Sequence, residues 1–575
     1  MKRFCKIRGA RVVLTATLLV AFSGALAAQT GPTTTQTGAR VSARAGQRSP
    51  VALPAPEQDG IHLSLDQAIR AAIANNQDME VTVNTAEAAQ FFLFQNTGIY
   101  DPLLSASATR ASSLLPASTQ LSGATDVSRA ETVDASAQVS QLTPWGGTYS
   151  LGIVGNRTRS NSTFSFVNPS LSVGLSLGIS QPLLRNFGKR ATNIRIDTAR
   201  NSRDAQYQNF VRSVQTTIDF VEQAYWDLVY ARANLLVKQE ARNIAVELNR
   251  ITKIKIDVGS LAPIDIVQTE VGVATADQDI INAEAAVGVA GDQLRRLLNF
   301  EATSGQTPII PTDEIRSETQ AFDLAGGLKV ALQRRPEILA QSYVVASDVL
   351  SYEYWQNQTL PQLDLVANYG RNGLGGRFLS FSDDTPPVAT VIDNTNFFDA
   401  SRQIFDENFR RWSVGFVFSY PLFNRAARGA KGVAEFTLQT ERSRLTVLQQ
   451  DVIVGVRNAH RAIVTASRQI VAASKGRELA ERNLDAARKK YDNGMTTSFE
   501  VSQIQAQLSD AKSKELNALA IYRKAVSAYH SAIADILDWK GVQIEGIPES
   551  SSPRVDAKAD AELLRRAVEH ALAAP

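Results

Sequence analysis

Histidine and cysteine, the side chains that most often bind metals or attack substrates, are sparse in this 575-residue chain. The one cysteine, Cys5, lies among basic residues near the start. The four histidines form no HExxH or comparable ligand spacing, and the chain has no GxxxxGKS/T or GxGxxG loop. They are His62, His460, His530 and His570. We therefore expect no enzymatic activity, no metal site and no cofactor.

Two glycine turns are the most promising places for function. Gly259 and Gly494 fall where long helical patterns stop, and glycine tolerates the left-handed conformation that ends many helices. Pro263 suits the first position of the next helix, with Asp265 near its third position. These residues predict two helical hairpins.

Acidic side chains flank both turns. Thr497 and Glu500 have the spacing of a capping box at the helix that follows Gly494. Asp257 and Asp492 come just before the glycines, where they either add negative potential or are solvated helix ends. Good helix caps account for all of these residues locally.

The elements that position the turns occur twice. Residues 65–79 resemble 324–338 at an offset of 259, and 255–268 resemble 490–503 at an offset of 235. Shorter helices are predicted at 66–96, 263–299, 326–357 and 498–537, and long helices at 187–256 and 426–491. The short helices of each half together equal the long one, so we expect them to stack end to end beside it over about 100 Å.

Each long helix carries a heptad seam, which predicts coiled-coil packing. Arg242 and Arg477 hold equivalent seam positions, where they either pair with carboxylates across helices or extend into a lumen. The seam of the second long helix is Val456, Ala459, Ile463, Ala466, Ile470, Ala473, Arg477, Ala480, Leu484, Ala487 and Tyr491, and the first has its equivalent 235 residues earlier.

Strand patterns interrupt both halves. Residues 171–180 alternate strictly between apolar side chains and Ser or Gly, over a length that fits the ~10 residues of a strand crossing a bilayer. Segments 363–369 and 412–420 alternate similarly, and 103–109 more weakly. A Ser and Gly face suits a water-filled lumen. The alternative is that these strands form the core of a β-sandwich, but a sandwich core does not explain the rows of Ser and Gly side chains.

The first 28 residues have the form of a secretory signal peptide, with a basic start, an apolar run and small residues before a cut after Ala27 or Ala28. Removing its five basic residues takes the formal net charge from +3 to −2, so we expect no nucleic-acid partner. No later stretch approaches the ~20 apolar residues of a spanning helix, so any membrane segment must be made of strands.

Residues 61–540 resemble the TolC family of outer-membrane efflux proteins. The resemblance rests on the segment LSLDQAIRAAIANNQD, the strand-to-helix elbows QPLL and YPLF, the long-helix segment AYWDLVYARANLLVKQEARNIAVEL and the two glycine turns. It implies a mixed fold, in which an antiparallel β-barrel in the outer membrane continues as a periplasmic α-helical coiled-coil barrel. It also implies a homotrimer with two internal repeats per chain.

The resemblance further implies a passive exit duct for efflux or type I secretion, in contact with outer-membrane lipid. Its partners would be a periplasmic adaptor protein and an inner-membrane pump of the RND, ABC or MFS type. The turns would form the periplasmic tip, with adaptor docking at Gly259, Leu261, Pro263, Asp265, Gly494 and Met495. The tunnel aperture would comprise Glu500, Gln503, Asp492 and Asp257. Family members carry two carboxylates three positions apart at this constriction; here Glu500 matches the first and Gln503 replaces the second, which predicts a weaker aperture.

The chain departs from the family pattern between Pro102 and Pro182, where two further alternating runs lie within 132–158. They either add a hairpin to the barrel, giving six strands per subunit instead of four, or form an extracellular hairpin above it. Both interpretations remain open at this stage.

These patterns divide the chain into six parts. They are the signal peptide 1–28, a flexible segment 29–60, the first repeat 61–299, a linker 300–323, the second repeat 324–540, and a tail 541–575 with a helix at 557–573. A structural or adhesive periplasmic coiled-coil protein without a pore is the alternative function. The transported substrate and the pump type are not encoded in these patterns.

Overall fold

The computed structural model describes residues 40–42, 60–116, 127–162, 165–300, 307–316, 321–382, 389–405 and 409–545. The predicted signal peptide and the helix predicted at 557–573 lie outside these residues. The strands are β1 (Arg40–Ser42), β2 (Ile61–Leu63), β3 (Leu103–Pro116), β4 (Val127–Leu142), β5 (Thr148–Ser160), β6 (Val167–Pro182), β7 (Ile309–Pro311), β8 (Gln362–Phe381), β9 (Ala389–Thr395), β10 (Arg410–Ser419) and β11 (Gln543–Glu545). The helices are α1 (Leu65–Asn75), α2 (Gln77–Thr97), α3 (Lys189–Thr192), α4 (Ile194–Asp257), α5 (Ile264–Leu298), α6 (Leu324–Arg334), α7 (Pro336–Gln358), α8 (Phe397–Gln403), α9 (Arg425–Asp492), α10 (Ser498–Ala532) and α11 (Ile536–Trp539).

Two helices predicted as continuous are each divided in two. The helix predicted at 66–96 breaks at Asn76, which has an extended backbone and whose side chain accepts a 3.1 Å hydrogen bond from the Met79 amide. The helix predicted at 326–357 breaks at Arg335, because the ring of Pro336 disfavours the helical conformation in the residue before it. The two breaks lie 259 residues apart, which is the offset of the sequence repeat.

Two other predicted helices are shorter than expected. The long helix predicted at 187–256 begins only at Ile194, after the single turn of α3. The helix predicted at 498–537 ends at Ala532, because Ala534 takes a left-handed conformation with φ of 60° before α11 starts. The long helices α4 and α9 contain 64 and 68 residues, or about 100 Å each.

The short helices α2 and α5 pack along successive parts of α4. The hydroxyl groups of Thr82 and Ser213 lie 3.2 Å apart between α2 and the first part of α4. The two short helices meet where the Asn76 side chain donates a 2.9 Å hydrogen bond to the Leu297 carbonyl, near the end of α5. The predicted end-to-end stacking is therefore present in the first half.

The second half is built in the same way, with α7 and α10 along α9. Here Arg335 donates a 3.3 Å hydrogen bond to the Ser531 carbonyl, so the end of α10 meets the start of α7. Helix α10 also packs on α4, where Ser527 donates a 2.8 Å hydrogen bond to Asp219. The helices consequently form one continuous array, with α2 and α5 at one edge and α9 at the other.

The predicted seams face the neighbouring helices. Arg242 donates a 2.8 Å hydrogen bond to Asp277 of α5, and Arg477 lies 2.5 Å from Glu515 of α10, so both arginines pair across helices. The buried members of the α9 seam are Val456, Ile463, Ala466, Leu484, Ala487 and Tyr491. Those of the α4 seam are Val221, Ala224, Leu228, Ala231 and Thr252.

A compact core surrounds the middle of α4. The buried Tyr225 hydroxyl donates to Asp313 at 2.6 Å and lies 3.0 Å from the Leu63 carbonyl oxygen, which holds the parallel pair β2 and β7 against the helix. Glu222 is 1% exposed and forms an ion pair with Lys540, just after α11. Within the segment predicted as a flexible lead-in, β1 pairs in parallel with β11.

The six long strands form one antiparallel sheet in the order β10-β8-β6-β5-β4-β3, and β9 pairs with β8 beyond this path. The extra hairpin, β4 and β5, lies inside the sheet, between β3 and β6, with continuous register on both sides. Of the two interpretations of residues 132–158, the pairing favours the one in which the hairpin adds two strands to the sheet.

The register gives this sheet two chemically distinct faces. One row across all six strands consists of Trp412, Tyr369, Leu177, Leu151, Val139 and Leu104. The neighbouring row on the other face is Ser413, Asn368, Gly178, Ser150, Ser140 and Leu103. We call these the apolar face and the polar face. The extra hairpin continues both of them.

Candidate functional site: the two helix turns

Both glycine turns adopt the same helix-ending geometry. Gly259 has a φ of 76°, and the next amide, that of Ser260, donates a 2.7 Å hydrogen bond back to the Lys255 carbonyl. Gly494 has a φ of 72°, and the Met495 amide donates a 2.9 Å bond to the Lys490 carbonyl. These are Schellman motifs, in which a left-handed glycine lets the chain satisfy the last helical carbonyls. The sequence prediction for both glycines is confirmed.

The helices that leave the turns start differently from each other. Pro263 has helical backbone angles immediately before Ile264, in agreement with the predicted helix start, and Asp265 lies in the first turn. Thr497 caps α10 by accepting a 3.3 Å hydrogen bond from the Glu500 amide. The Glu500 carboxylate accepts from the Thr496 hydroxyl, so only half of the predicted capping box is present.

The predicted aperture residues all lie at the surface near the turns. Glu500 and Gln503 are exposed on the first turns of α10, and Asp257 and Asp492 are exposed at the last positions of α4 and α9. A carboxylate at a helix C-terminus is unfavourable beside the negative end of the helix dipole. The placement of Asp257 and Asp492 therefore adds negative potential at the turns without stabilising their helices.

Of the six predicted docking residues, four are exposed and two are partly buried. Gly259, Pro263, Gly494 and Met495 are exposed, with Met495 at 74%. Asp265 is half-buried. Leu261 packs against a buried cluster between the hairpins and contributes mainly to stability; the cluster is Leu248, Leu484, Ala487, Tyr491, Val501, Ile504 and Leu508.

A link between the two hairpins was missed in the sequence. The Lys255 ammonium lies 3.9 Å from the centre of the Tyr491 ring and donates a 2.8 Å hydrogen bond to the Tyr491 carbonyl. The Tyr491 hydroxyl lies 2.8 Å from that of Thr252. Burial raises the pKa of Tyr491; the Thr252 hydrogen bond opposes this, and the nearby Asp265 and Asp492 carboxylates each add a smaller raising effect. Thr252 and Tyr491 were predicted seam residues, but no spacing reveals a contact across 239 positions.

An apolar groove opens beside the turns. A cavity of 520 Å³ lies between α4, α5 and α10 and includes Gln503 in its lining. Its most apolar wall consists of Ile264, Val267, Val271 and Phe499, all of them at least half exposed. An exposed apolar patch next to charged helix ends is typical of a protein-binding surface.

The histidine and the acidic side chains that the structure describes away from the turns do not suggest a catalytic or metal site. His530 stacks on Trp539 at 4.2 Å and hydrogen-bonds Asp535, which is a structural arrangement. Across the described ranges, no three His, Cys, Asp or Glu side chains are grouped as metal ligands. None of the helices that the structure describes is long and apolar enough to cross a membrane.

Comparison with known proteins gives a family and a fold. The model of the family described as "Outer membrane efflux protein" matches residues 129–299 and 327–533, more than half of the chain. No curated protein sequence matches significantly.

Several solved structures have the same fold, and each match includes most of the solved chain. CusC is 16% identical with a TM-score of 0.58, and the match covers 85% of this chain and 98% of that one. The Campylobacter jejuni CmeC outer membrane channel is 15% identical with a TM-score of 0.58, covering 88% and 89%. A membrane protein from Pseudomonas aeruginosa is 16% identical with a TM-score of 0.58, covering 84% and 99%.

Proposed function

The chain belongs to the outer membrane efflux protein family and is an efflux channel of the outer membrane that extends into the periplasm, and on this premise we propose how it forms its duct. Three copies join their sheets into one barrel and their helices into one tunnel. The duct is passive, and its energy comes from an inner-membrane pump reached through a periplasmic adaptor.

The edges of the sheet support closure between copies. Among the described residues, β3 pairs only with β4, and β10 only with β8, which leaves two long edges open. Exposed edges of this length readily pair with another strand. Because the antiparallel sheet has an even number of strands, its two edge strands, β3 and β10, run in opposite directions. If neighbouring copies have their helices at the same end, β3 of one copy would therefore pair antiparallel with β10 of the next. Closing the ring removes both open edges.

The helical array has corresponding apolar edges. On one side, α2 and α5 expose Phe91, Phe94, Ile281 and Val289. On the other side, α9 exposes Val433, Phe436 and Val471. Each of these side chains is at least 60% exposed in the single chain. Packing α9 of one copy against α2 and α5 of the next would bury both sets, since apolar area removed from water stabilises by about 25 cal/mol per Å².

The two faces of the sheet support its place in the bilayer. The apolar face would contact lipid, and the polar face, with its Ser, Gly and Asn side chains, would line a wet lumen. With six strands per copy, three copies would give a barrel of 18 strands, a consequence of the hairpin β4–β5 lying within the sheet.

The turns would form the periplasmic end of the duct. Three copies would place three Glu500 carboxylates around the opening, and a ring of acidic side chains favours cations over anions. Gln503, one turn along α10, adds no charge, so the ring is single. The exposed groove beside the turns would receive the adaptor. Membership of a channel family favours this duct over a structural coiled-coil protein without a pore.

The observation that carries the proposal is the pair of open, oppositely directed sheet edges in a chain of this family. Its test is the conductance of the purified, detergent-solubilised protein in planar bilayers, for wild type, Glu500→Ala and Glu435→Ala. Glu435 is exposed on α9 far from the turns and serves as the charge control. We expect cation-selective pores whose selectivity weakens only in Glu500→Ala.

Either of two results would contradict a part of this proposal. Pores with equal selectivity in all three proteins would remove Glu500 from the aperture and keep the duct. A water-soluble protein that forms no pores would reject the duct.

A further inference from the structure

On four strands, the apolar run on the apolar face ends in an arginine. Strand β8 presents Leu363, Leu365, Ala367, Tyr369 and then Arg371, and β10 presents Phe418, Phe416, Val414, Trp412 and then Arg410. Strand β5 presents Tyr149, Leu151, Ile153, Gly155 and then Arg157, and β3 presents Leu104, Ala106, Ala108 and then Arg110. The β8 run spans nine residues from Leu363 to Arg371, which fits the ~9–11 residues of a membrane-crossing strand.

The chain order places these arginines at the end of the sheet away from the helices. Strand β6 leads directly into α3 and α4 at Pro182, and Arg157 pairs with Leu171, eleven positions earlier on β6. Arg410 is likewise the first residue of β10, which ends beside α9. The four arginines therefore lie toward the far end of the apolar face in two rows, with Arg110 and Arg157 four residues further along the strands than Arg371 and Arg410.

Within the described ranges, three of these arginines form no ion pair. Arg410 stands directly opposite Arg371, a like-charge pair that is unfavourable without a counter-charge. Arg110, Arg157 and Arg410 are exposed and make no ion pair with any described residue. Among the six long strands, Glu131 is the single acidic residue on the apolar face.

Helix α8 lies on the same face at the same end. Its Ala400 and Ile404 are buried against Val173, and a Cβ on Gly373 would lie 1.9 Å from the Ala400 carbonyl oxygen. Arg371 holds the end of the helix by donating 3.3 Å hydrogen bonds to the carbonyls of Ile404 and Phe405.

The outer side of this helix is aromatic and basic. Phe398 and Phe405 are 64% and 80% exposed, and the Arg402 guanidinium lies 4.9 Å from the Phe398 ring centre. Aromatic rings beside basic side chains are typical of residues at a membrane interface.

We propose that the far end of the apolar face binds the phosphate groups of outer-leaflet lipid, through Arg110, Arg157 and Arg410, with Phe398 of α8 and Phe405 just after this helix packing on the acyl chains. Guanidinium groups bind phosphate through forked hydrogen bonds. An outer-leaflet lipid supplies both a phosphate and apolar chains, whereas a free phosphate supplies only the first. This inference rests on the proposed membrane position of the sheet.

Native mass spectrometry of the full-length, detergent-solubilised protein mixed with lipid A tests the proposal. The variant Arg110→Gln/Arg157→Gln/Arg410→Gln is compared with wild type and with Arg411→Gln, which removes an exposed arginine from the polar face one position away. We expect the triple variant to lose more than about tenfold in lipid A affinity, and Arg411→Gln to bind like wild type. The triple lysine variant, which keeps the charges, should retain most of the binding.

Three results would overturn it. The triple glutamine variant binds lipid A like wild type, or lipid A without its phosphates binds equally well, or inorganic pyrophosphate competes as strongly as the lipid does. Bilayer conductance of the same samples separates the two proposals. Normal pores with unaffected lipid binding reject only the lipid site, and a pore-less soluble protein rejects the duct on which it rests. Should the triple variant misfold, the same comparison is made with Arg410→Gln and Arg411→Gln alone.

Discussion

Lys255 and Tyr491, on the two long helices, are joined twice at the turn end of the helical array. The lysine ammonium lies 3.9 Å from the ring centre and donates a 2.8 Å hydrogen bond to the tyrosine carbonyl. One side chain thus uses both a cation–π contact and a hydrogen bond to a helix-terminal carbonyl, which also accepts from the Gly494 amide, to bind the first hairpin to the second. The separation of the hairpins at their turns therefore depends on this contact.

We expect Lys255→Met to loosen the turn end by about 2–4 kcal/mol, the sum of a modest cation–π contact and a hydrogen bond to a charged donor. Amide hydrogen exchange of residues 488–495 should accelerate. Lys253→Met, two positions away and exposed, is the control. Equal exchange in the two variants would show that the contact does not hold the hairpins together.

We expect Gly494→Ala to destabilise the second hairpin by about 1 kcal/mol, because its φ of 72° is unfavourable for a residue with a Cβ. The matched control is Gly476→Ala, an exposed glycine within α9 with open space around it. This change should stabilise the helix by up to about 1 kcal/mol. Unfolding temperatures of the two variants should therefore shift in opposite directions, and a shared direction would contradict the Schellman geometry.

We expect Lys540→Met to destabilise the middle of the array by about 3 kcal/mol, because it leaves the carboxylate of Glu222, 1% exposed, without its partner. The double variant Glu222→Gln/Lys540→Met should recover much of the loss, since the buried charge is gone. Thermal unfolding followed by circular dichroism measures both. A double variant no more stable than the single one would show that the lysine acts through packing on Trp539, 3.7 Å from its ammonium group.

Asp219 should make stability depend on pH. Burial raises its pKa above the ordinary value of 3.8, and the neighbouring Glu222 adds to this, against the opposing hydrogen bonds from Ser527 and Gln223. Since the folded-state pKa lies above the unfolded one, the stability from Asp219 is complete below pH 3.8 and is lost as the pH rises through the folded-state value.

Asp219→Asn should therefore match wild type in strongly acidic solution and become more stable than wild type toward neutral pH. Unfolding temperatures across this range measure the difference. Asp227→Asn, which removes a carboxylate paired with Lys524 on the same helix face, is the control and should not gain stability with rising pH. An advantage of Asp219→Asn that is constant with pH would rule out a charge effect.

Local patterns were sufficient for the elements and for several details of the turns. The alternation at 171–180 and the heptad seam from Val456 to Tyr491 predicted the strands and buried faces that are present. The breaks at Asn76 and Arg335 were missed, because apolar periodicity continues across them. Pro336 was a usable signal, since proline restricts the residue before it.

By itself, the sequence determined the strands, the long helices, the left-handed glycines and the family resemblance, because each depends on residues close together in the chain. The tertiary structure alone decided that β4 and β5 lie within the sheet, that Lys255 meets Tyr491 and that arginines end the apolar runs on one face. These features depend on contacts between distant segments, and Lys255 and Tyr491, for example, are 236 positions apart. Register between distant segments is set by which packing buries the most apolar surface and pairs the most polar groups, and no local period encodes it.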